Sequence, residues 1–325
     1  MVLPDREQCI QEDRPEIYEI AIVGAGPASL SAALYAARFC RTTLVLHDGQ
    51  ARAKRIARTY NVPGFDKGIT GPELIARMTS HAGRYGAQIV EATVATATRE
   101  SGLFILTDAA GQTWRAQALI LATGIKLNQI PIDEELHETA IAHDVLRYCP
   151  ICDGYEHRGK RIAVVGCDMS GAGEALFLRQ FSDNVTLLPK DEAELTPEER
   201  ADLAAAGVHT IVAPITRYAP QTDSMQIYVE GQAAPLSFDV LNPALGVTPR
   251  NELAAGLSLT LNDCGKADAA SPFGTNIPGL FCAGDVVEGL DQITVAIGHG
   301  AVAATKAHNW LRDQHGETVE AVLEN

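Results

Sequence analysis

The fold of this chain is decided by residues 20–29, whose sequence is IAIVGAGPAS. Residues 20–23 are a short apolar run of the kind that forms a buried strand, and a glycine-rich turn follows at once. Small residues then continue as a predicted helix over residues 30–38, and a second apolar run at residues 43–46 predicts the next strand. Strand, glycine turn, helix and strand in this order form the βαβ nucleotide-binding unit.

The residues around this turn suit a bound nucleotide. Gly24 permits the tight turn, and Gly26 lets a pyrophosphate approach the backbone at the start of the helix, where N–H groups and the helix dipole attract anions. Ser29 replaces the usual third glycine and is still small enough for the helix to pack on the strand. Asp48 ends the second strand, about 20 residues further on, where a carboxylate binds a ribose hydroxyl.

The same pattern occurs again about 140 residues later in the chain. A predicted strand at residues 161–165 leads into the turn GCDMSG at residues 166–171, and a helix at residues 174–180 and a strand at residues 185–188 follow. Two copies of the unit predict an α/β protein with two Rossmann-like nucleotide-binding domains, the second inserted in the first. Further strands are predicted at residues 88–97, 103–107, 113–116, 118–121, 225–229 and 238–241.

Two stretches near the end of the chain indicate that the nucleotide is FAD. An apolar strand at residues 279–283 ends in Gly284 and Asp285, from which a carboxylate can accept a hydrogen bond from a polyol such as the flavin ribitol. A long helix rich in alanine and glycine is predicted from Gln292 to residue 310. Its N-terminus would stabilise the negative charge of a reduced flavin.

Residues 149–153, CPICD, contain the only C-x-x-C spacing in the sequence. Two cysteines at this spacing can close a small disulfide ring, and a helix N-terminus lowers the pKa of a thiol. Asp153 is placed to carry the proton that moves when the dithiol forms. A zinc site needs two further ligands, and His143 and His157 do not stand at ligand-like spacing. We therefore predict a redox-active pair and no metal site.

Length, composition and charge restrict the classes of protein that fit. The 325 residues suit two domains, and 46% hydrophobic with 21% charged residues is ordinary for a globular chain. The net charge of -15 argues against nucleic acid or an anionic membrane as partner, because both attract basic surfaces. The opening segment is polar and acidic, unlike a signal peptide, and no apolar run reaches the ~18 residues of a membrane helix. We expect a cytoplasmic protein.

Five motifs, taken in order, resemble those of the low-molecular-weight, FAD-dependent thioredoxin reductase family. They are GAGPA at residues 24–28, NVPGF at 61–65 together with ITGPEL at 69–74, ATG at 122–124, CPICDG at 149–154 and AGD at 283–285.

The resemblance implies an FAD-binding domain of residues 1–126 and 250–325, a central domain of residues 127–249, and a homodimer. In such proteins Cys152 faces the flavin, Cys149 attacks the disulfide of a partner such as thioredoxin, and Asp153 acts as acid and base. The residues expected to bind FAD are Gly24, Gly26, Pro27, Ala28, Asp48, Asn61, Thr123, Gly124, Gly284, Asp285, Gln292 and Ile293.

The second nucleotide site departs from the family pattern, in which G-x-G-x-x-A is followed by a basic H-R-R-x-x-x-R cluster for the phosphate of NADPH. Asp168 stands at the second glycine, and residues 188–194, LPKDEAE, replace the basic cluster. One lysine among three acids is a poor clamp for a 2′-phosphate, which needs converging arginines or lysines. Asp291 also replaces the arginine that usually precedes the glutamine near the flavin. We therefore predict an electron donor other than NADPH.

The leading hypothesis is an enzyme that passes electrons through FAD and Cys149–Cys152 to a thioredoxin-like protein or a small disulfide. Three alternatives stay open: a dithiol oxidase that uses oxygen, a conventional NADPH-dependent reductase, and a non-catalytic flavoprotein. Oxidases of this kind tend to carry histidine after the second cysteine, so Asp153 favours the reductase. A ferredoxin is the candidate donor, and it would dock on a basic patch of Arg52, Lys54, Arg55 and Arg58.

Overall fold

The computed structural model of the protein describes residues 15–166, 168–189, 195–267 and 274–317, with the backbone alone at residues 168–170. Its strands are β1 Tyr18–Val23, β2 Thr43–His47, β3 Gln88–Glu91, β4 Val94–Glu100, β5 Leu103–Asp108, β6 Thr113–Leu121, β7 Ile125–Leu127, β8 Ile162–Val165, β9 Val185–Leu188, β10 His209–Thr210, β11 Ile215–Pro220, β12 Met225–Val229, β13 Leu236–Phe238, β14 Val240–Pro243, β15 Val247–Pro249 and β16 Leu280–Cys282. Its helices are α1 Pro27–Arg38, α2 Gly71–Gly83, α3 Glu134–Ala142, α4 Pro150–Asp153, α5 Asp168–Leu178, α6 Pro197–Ala205, α7 Glu252–Gly256 and α8 Ile293–Gln314.

The chain forms two compact units. The first comprises the residues up to 54, residues 71–126 and the residues from 249 onward, and the second comprises residues 55–70 and 127–248. None of the helices in the described ranges combines the length and the apolar character that crossing a membrane requires.

The sheet of the first unit has seven strands, in the order β3-β2-β1-β6-β5-β4, with β16 beside the second half of β6. Strands β3, β2, β1, β6 and β16 are parallel, whereas β4 and β5 form an antiparallel meander with the first half of β6. Side chains of β1 alternate between two cores: Ile20 and Ile22 pack with α1 and α8, and Ala21 and Val23 pack with residues of the meander. The carboxyl ends of the parallel strands, where such sheets bind ligands, therefore lie at one edge.

Helices α1 and α8 pack closely because small residues line the contact between them. Gly300 marks the tightest point, since a Cβ there would lie 2.1 Å from the backbone oxygen of Ala28. The Ser31 hydroxyl donates a hydrogen bond of 2.8 Å to the backbone oxygen of Ile297. This packing explains why the predicted helix after Gln292 is so rich in alanine and glycine.

The second unit contains a parallel sheet in the order β10-β9-β8-β14 and a separate antiparallel sheet in the order β11-β12-β13. The single strand predicted at residues 238–241 is wrong, because β13 pairs antiparallel with β12 and β14 pairs parallel with β8. Asp239 lies between the two strands and accepts hydrogen bonds from the backbone N–H of Arg161 at 2.7 Å and from its guanidinium at 2.6 Å. This contact with Arg161 holds Asp239 at the point where the chain passes from one sheet to the other.

Each unit thus has a parallel sheet in which strand, glycine turn and helix follow one another, and the predicted α/β fold with two Rossmann-like units is confirmed. The assignment of FAD to one domain, with boundaries at residues 127 and 249, stays a prediction.

Candidate redox and flavin sites

The first glycine turn has the shape that a pyrophosphate needs. Gly24 has a φ of 121°, and a Cβ at this position would lie 2.3 Å from the backbone oxygen of Ala122, so no other residue fits without a backbone shift. Gly26 is the N-cap of α1 and Pro27 is its first residue. Within the described chain, no atom lies within 4 Å of where a Cβ of Gly26 would be. Because glycine has no side chain to cap the helix, the N–H groups of the first turn stay available to an anion.

Asp48, Gly24 and Thr123 line one cavity of about 320 Å³, and all three were predicted to bind the cofactor. Arg250, which the sequence did not suggest, lies there too: its Nη1 forms an ion pair of 2.8 Å with Asp48 Oδ2. The Thr123 hydroxyl donates a hydrogen bond of 2.6 Å to the backbone oxygen of Arg250, and the Arg250 N–H donates one to that of Gly124. The cavity is large enough for a purine or a ribose and offers both signs of charge.

Gly284 and Asp285 follow β16 and lie beside the start of α1. Gly284 has a φ of 77°, and a Cβ there would lie 2.8 Å from the Cβ of Ala28. Asp285 Oδ2 forms an ion pair of 2.7 Å with Arg52 Nη2, and the same nitrogen lies 3.4 Å from the backbone oxygen of Asp291. The Asp285 carboxylate is therefore held by an arginine that the sequence did not assign to the flavin site.

A second ion pair lies just before the start of α8. Lys266 Nζ lies 2.8 Å and 3.1 Å from the two carboxylate oxygens of Asp291. Burial raises the pKa of Asp291, and the hydrogen bond from Lys266 opposes that rise. Gln292 is the N-cap of α8 and Ile293 is its first residue. The structure thus explains how an aspartate is tolerated where the family has an arginine: Lys266 neutralises it.

These residues of the first unit fit FAD, since two helix N-termini and a fixed carboxylate lie at the carboxyl edge of one parallel sheet. The structure brings Gly24, Asp48, Thr123 and Gly124 together, and it places Gly284 against Ala28 at the start of α1. Asn61 belongs to the second unit, where its Oδ1 accepts a hydrogen bond of 2.8 Å from the Thr59 hydroxyl.

Cys149 and Cys152 form a disulfide in the second unit. Cys149 is the N-cap of the short helix α4, and its sulfur accepts a hydrogen bond of 3.1 Å from the backbone N–H of Cys152. The helix is anchored by Gly154, where a Cβ would lie 2.7 Å from the ring of Phe181. A backbone N–H directed at the sulfur stabilises a thiolate, so the geometry favours Cys149 as the nucleophile of the reduced pair.

Asp153 adjoins the disulfide and is largely buried. Burial raises the pKa of this carboxyl to about 6; the guanidinium of Arg147 opposes the rise, and the charges of Asp144 and Glu156 add to it. Arg147 Nε lies 3.8 Å from Asp153 Oδ2, a distance longer than a hydrogen bond. An acid with a pKa near the pH of the cell can both give and take a proton.

His157 lies near the disulfide but does not suit a role in proton transfer or metal binding. Burial, together with the positive charge of Lys160, lowers its pKa to about 4. Lys160 Nζ lies 3.0 Å from His157 Nδ1 and donates to it. The ring is therefore neutral at pH 7 and its Nδ1 already accepts a hydrogen bond.

A second group of possible metal ligands lies on α3, where Glu134, His137 and Glu138 come close together. The guanidinium of Arg55 forms ion pairs with both carboxylates and lies 3.3 Å from His137 Nδ1. His137 Nε2 is 2.7 Å from the hydroxyl of Tyr148. An arginine side chain thus holds the place that a cation would take.

The second glycine turn begins like the first. A Cβ at Gly166 would lie 2.2 Å from the backbone oxygen of Ala244, just as a Cβ at Gly24 would lie 2.3 Å from the backbone oxygen of Ala122. Helix α5 starts at Asp168, the residue predicted to obstruct a pyrophosphate. The rest of that prediction falls on residues 190–194, which lie outside the described residues.

All four arginines and lysines of the predicted basic patch have partners within the chain. Arg52 binds Asp285, and Arg55 binds Glu134 and Glu138. The other two donate hydrogen bonds to backbone oxygens. Lys54 donates to the oxygen of Gly49, and Arg58 donates to the oxygens of Lys67 and Gly68. Carboxylates therefore neutralise half of the patch.

Comparison with known proteins identifies the family. The model of the pyridine nucleotide-disulphide oxidoreductases matches residues 18–300, and the chain belongs to this family. A bifunctional thioredoxin reductase/thioredoxin of Mycobacterium leprae is 32% identical over 326 residues, which cover 95% of this chain and 69% of the relative. A thioredoxin reductase of Streptomyces clavuligerus is 31% identical over 314 residues, covering 91% of this chain and 94% of the relative.

A solved structure agrees with this identification. The thioredoxin reductase of Streptococcus pyogenes superposes with a TM-score of 0.84 at 26% identity, covering 92% of this chain and all of that one. The protein is thus a flavin-dependent disulfide oxidoreductase of the thioredoxin reductase type, and its cofactor is FAD.

Proposed function

We propose that the enzyme passes electrons from FAD to the Cys149–Cys152 disulfide and from there to a thioredoxin-like protein or a small disulfide. The observation that carries this proposal is the disulfide on α4 with the largely buried carboxyl of Asp153 beside it. The relatives in Mycobacterium leprae and Streptomyces clavuligerus, named as thioredoxin reductases, support the same partner class.

Reduction of the disulfide takes up two electrons and two protons. Bound FAD, when reduced, supplies both electrons and one of the protons. Asp153 gives the second proton, and two thiols result. Cys149 then loses its proton and attacks the partner's disulfide, the hydrogen bond from the Cys152 N–H stabilising its thiolate. Cys152 breaks the mixed disulfide, which releases the partner as a dithiol and restores the Cys149–Cys152 bond.

In this proposal FAD lies across the first unit. The pyrophosphate binds at Gly24, Gly26, Pro27 and Ala28, and the adenosine part occupies the cavity beside Asp48, Thr123 and Gly124. Asp285 accepts a hydrogen bond from the ribitol, and the start of α8 at Gln292 and Ile293 faces the flavin ring. The support for this placement is the open approach at Gly26 and the close contact of Gly284 with Ala28.

We further propose a donor other than NADPH, because Asp168 and the segment LPKDEAE at residues 188–194 replace the residues that bind its phosphates in the family. A ferredoxin remains the candidate donor, although the ion pairs of Arg52 and Arg55 neutralise two of the four cations in the predicted docking patch. An oxygen-dependent dithiol oxidase is the second candidate, since it also needs no NADPH. We expect a homodimer, as the resemblance to the family implies, and a cytoplasmic location, as the composition and charge suggest.

The test is an anaerobic titration of the flavin absorbance with NADPH, then NADH, then reduced ferredoxin, with oxidised thioredoxin present. Bleaching by reduced ferredoxin, with no response to either pyridine nucleotide, would support the proposal. Bleaching by NADPH within the turnover time would show a conventional reductase. A small dithiol is titrated last in the same way. If it is the one reductant that bleaches the flavin, and oxygen is consumed once air is admitted, the oxidase is favoured.

A further inference from the structure

A chain of charged side chains leads from Asp153 to the surface of the second unit. Arg147 lies between two carboxylates: its Nη2 forms an ion pair with Asp144, and its Nε lies 3.8 Å from Asp153. The two acids differ in exposure, since the side chain of Asp144 is 44% exposed and that of Asp153 is 16% exposed. Lys160 Nζ lies 3.8 Å from Asp144.

The guanidinium is therefore shared unequally. Asp144 accepts hydrogen bonds from it, whereas Asp153 lies beyond hydrogen-bond range. A guanidinium in direct contact with a buried carboxyl would keep that carboxyl ionised, and a carboxyl left in a poorly solvated place keeps its proton instead. The position of Arg147 thus controls whether Asp153 carries a proton.

We propose that Arg147 and Asp144 are a pair of positioning residues for the redox chemistry: Asp144 holds the guanidinium away from Asp153, and Asp153 thereby retains the proton that the disulfide needs. This inference rests on the proposed role of Asp153 as proton donor.

The other charged groups near Asp153 do not provide this control. Glu156 adds negative charge but makes no ion pair with Arg147 in the described chain, and Lys160 is engaged by His157 and Asp144. Helix α5 packs against α4, and its buried Glu174 accepts a hydrogen bond of 2.5 Å from Asn242. Arg147 is the cation nearest to Asp153, so it is the one that decides the protonation of that carboxyl.

The two halves of the pair have opposite expected effects. In R147Q the cation is gone, and the pH at which Asp153 loses its proton rises by about one pH unit. In D144N the guanidinium is released toward Asp153, and that pH falls by about one pH unit. R147K keeps the charge and should stay close to wild type. D239N removes one carboxylate from the Arg161 ion pair of the same unit and should leave Asp153 unchanged.

The experiment is an infrared titration of protein labelled with ¹³C-aspartate, in which the Asp153 band is identified by its loss in D153N. It needs neither donor nor turnover, so it tests the pair even if the proposed function fails. Opposite shifts in R147Q and D144N, with none in D239N, support the proposal. Shifts in the same direction, or no shift in either variant, overturn it, and the D144N result decides alone if R147Q does not fold.

A kinetic measurement then tests the role of Asp153 separately. Dithionite-reduced enzyme is mixed anaerobically with excess DTNB, and the return of flavin absorbance is followed at pH 7. If Asp153 gives the proton, D144N should slow this step about tenfold and R147Q should speed it a few-fold, because the protonated fraction changes by those factors. Opposite infrared shifts without these rate changes would support the pair and refute Asp153 as proton donor.

Discussion

Replacement of Gly26 by alanine is expected to weaken FAD binding and to leave the fold intact. A Cβ at Gly26 meets no described atom within 4 Å, and the φ of the residue is -79°, which suits alanine. The cost to the apoprotein is that of a poorer N-cap, about 0.5–1 kcal/mol. The methyl group would fill the space through which the pyrophosphate approaches, so FAD affinity should fall at least about tenfold, or about 1.4 kcal/mol.

Gly24→Ala is the matched comparison, and its main effect should be on the stability of the fold. The left-handed φ costs about 1–3 kcal/mol for a residue with a Cβ, and the overlap with the Ala122 oxygen forces a shift of β6 that costs about 1–3 kcal/mol more. The apoprotein of G24A should therefore lose about 2–6 kcal/mol of its free energy of unfolding.

Two assays separate these effects. Urea unfolding of both apoproteins measures stability, and quenching of flavin fluorescence on titration with apoprotein measures FAD affinity. Wild-type FAD affinity in G26A would refute the placement of the pyrophosphate. Equal stability of the G24A and G26A apoproteins would refute the argument from the Ala122 contact.

Three further predictions concern packing, charge and pH. R52Q should lower the flavin midpoint potential by about 30 mV, because it removes the cation that pairs with Asp285 and favours the anionic reduced flavin. Spectroelectrochemistry measures the potential, and R52K should restore part of the shift. Burial raises the pKa of Glu174 to about 7, so its stabilising contribution is full below the unfolded pKa of about 4.3 and is lost as the pH rises through 7. Between pH 4 and pH 8 the wild type should lose about 3 kcal/mol of unfolding free energy relative to E174Q. Urea unfolding of both proteins measures this, and a difference between them that is the same at pH 4 and pH 8 would contradict the prediction. G300A should destabilise the protein by about 3 kcal/mol or more, whereas G298A, with no described atom within 4 Å of its Cβ, should be neutral or stabilising by up to about 1 kcal/mol; thermal unfolding distinguishes them.

The parts of the fold that follow from short stretches of sequence were predictable. The strand, turn and helix of residues 20–38 are local, because an apolar run, two glycines and a series of small residues each favour one backbone conformation. The predicted strands at residues 185–188 and 225–229 match β9 and β12. The helix predicted at residues 174–180 begins earlier, at Asp168. Its first turn follows directly on the glycine turn and shows little apolar periodicity, so the sequence pattern did not reveal where it starts.

Features that depend on distant contacts were not predictable. Nothing near residues 238–241 shows that Asp239 binds Arg161 and so divides the chain between two sheets. The partners of the predicted flavin-site acids are equally remote: Asp48 pairs with Arg250, and Asp285 pairs with Arg52 across more than half of the chain. The residues next to each aspartate do not indicate its partner, because any arginine elsewhere in the sequence could pair with it equally well.

The role of Arg147 could not be predicted for a different reason. It lies two residues before Cys149, and its charge was visible in the sequence, but its effect depends on how its guanidinium is divided between Asp144 and Asp153. That division depends on the side-chain conformations, which residue types do not specify.

Electron exchange between the flavin and the Cys149–Cys152 disulfide within one protein is tested most directly by counting the electrons that the protein takes up. The measurement is an anaerobic dithionite titration of the wild type and of C149S, followed by flavin absorbance. The wild type should take up four electrons per FAD, two of them held by the disulfide, and C149S should take up two. An uptake of two electrons in both proteins would contradict the account, because the disulfide would then not exchange electrons with the flavin.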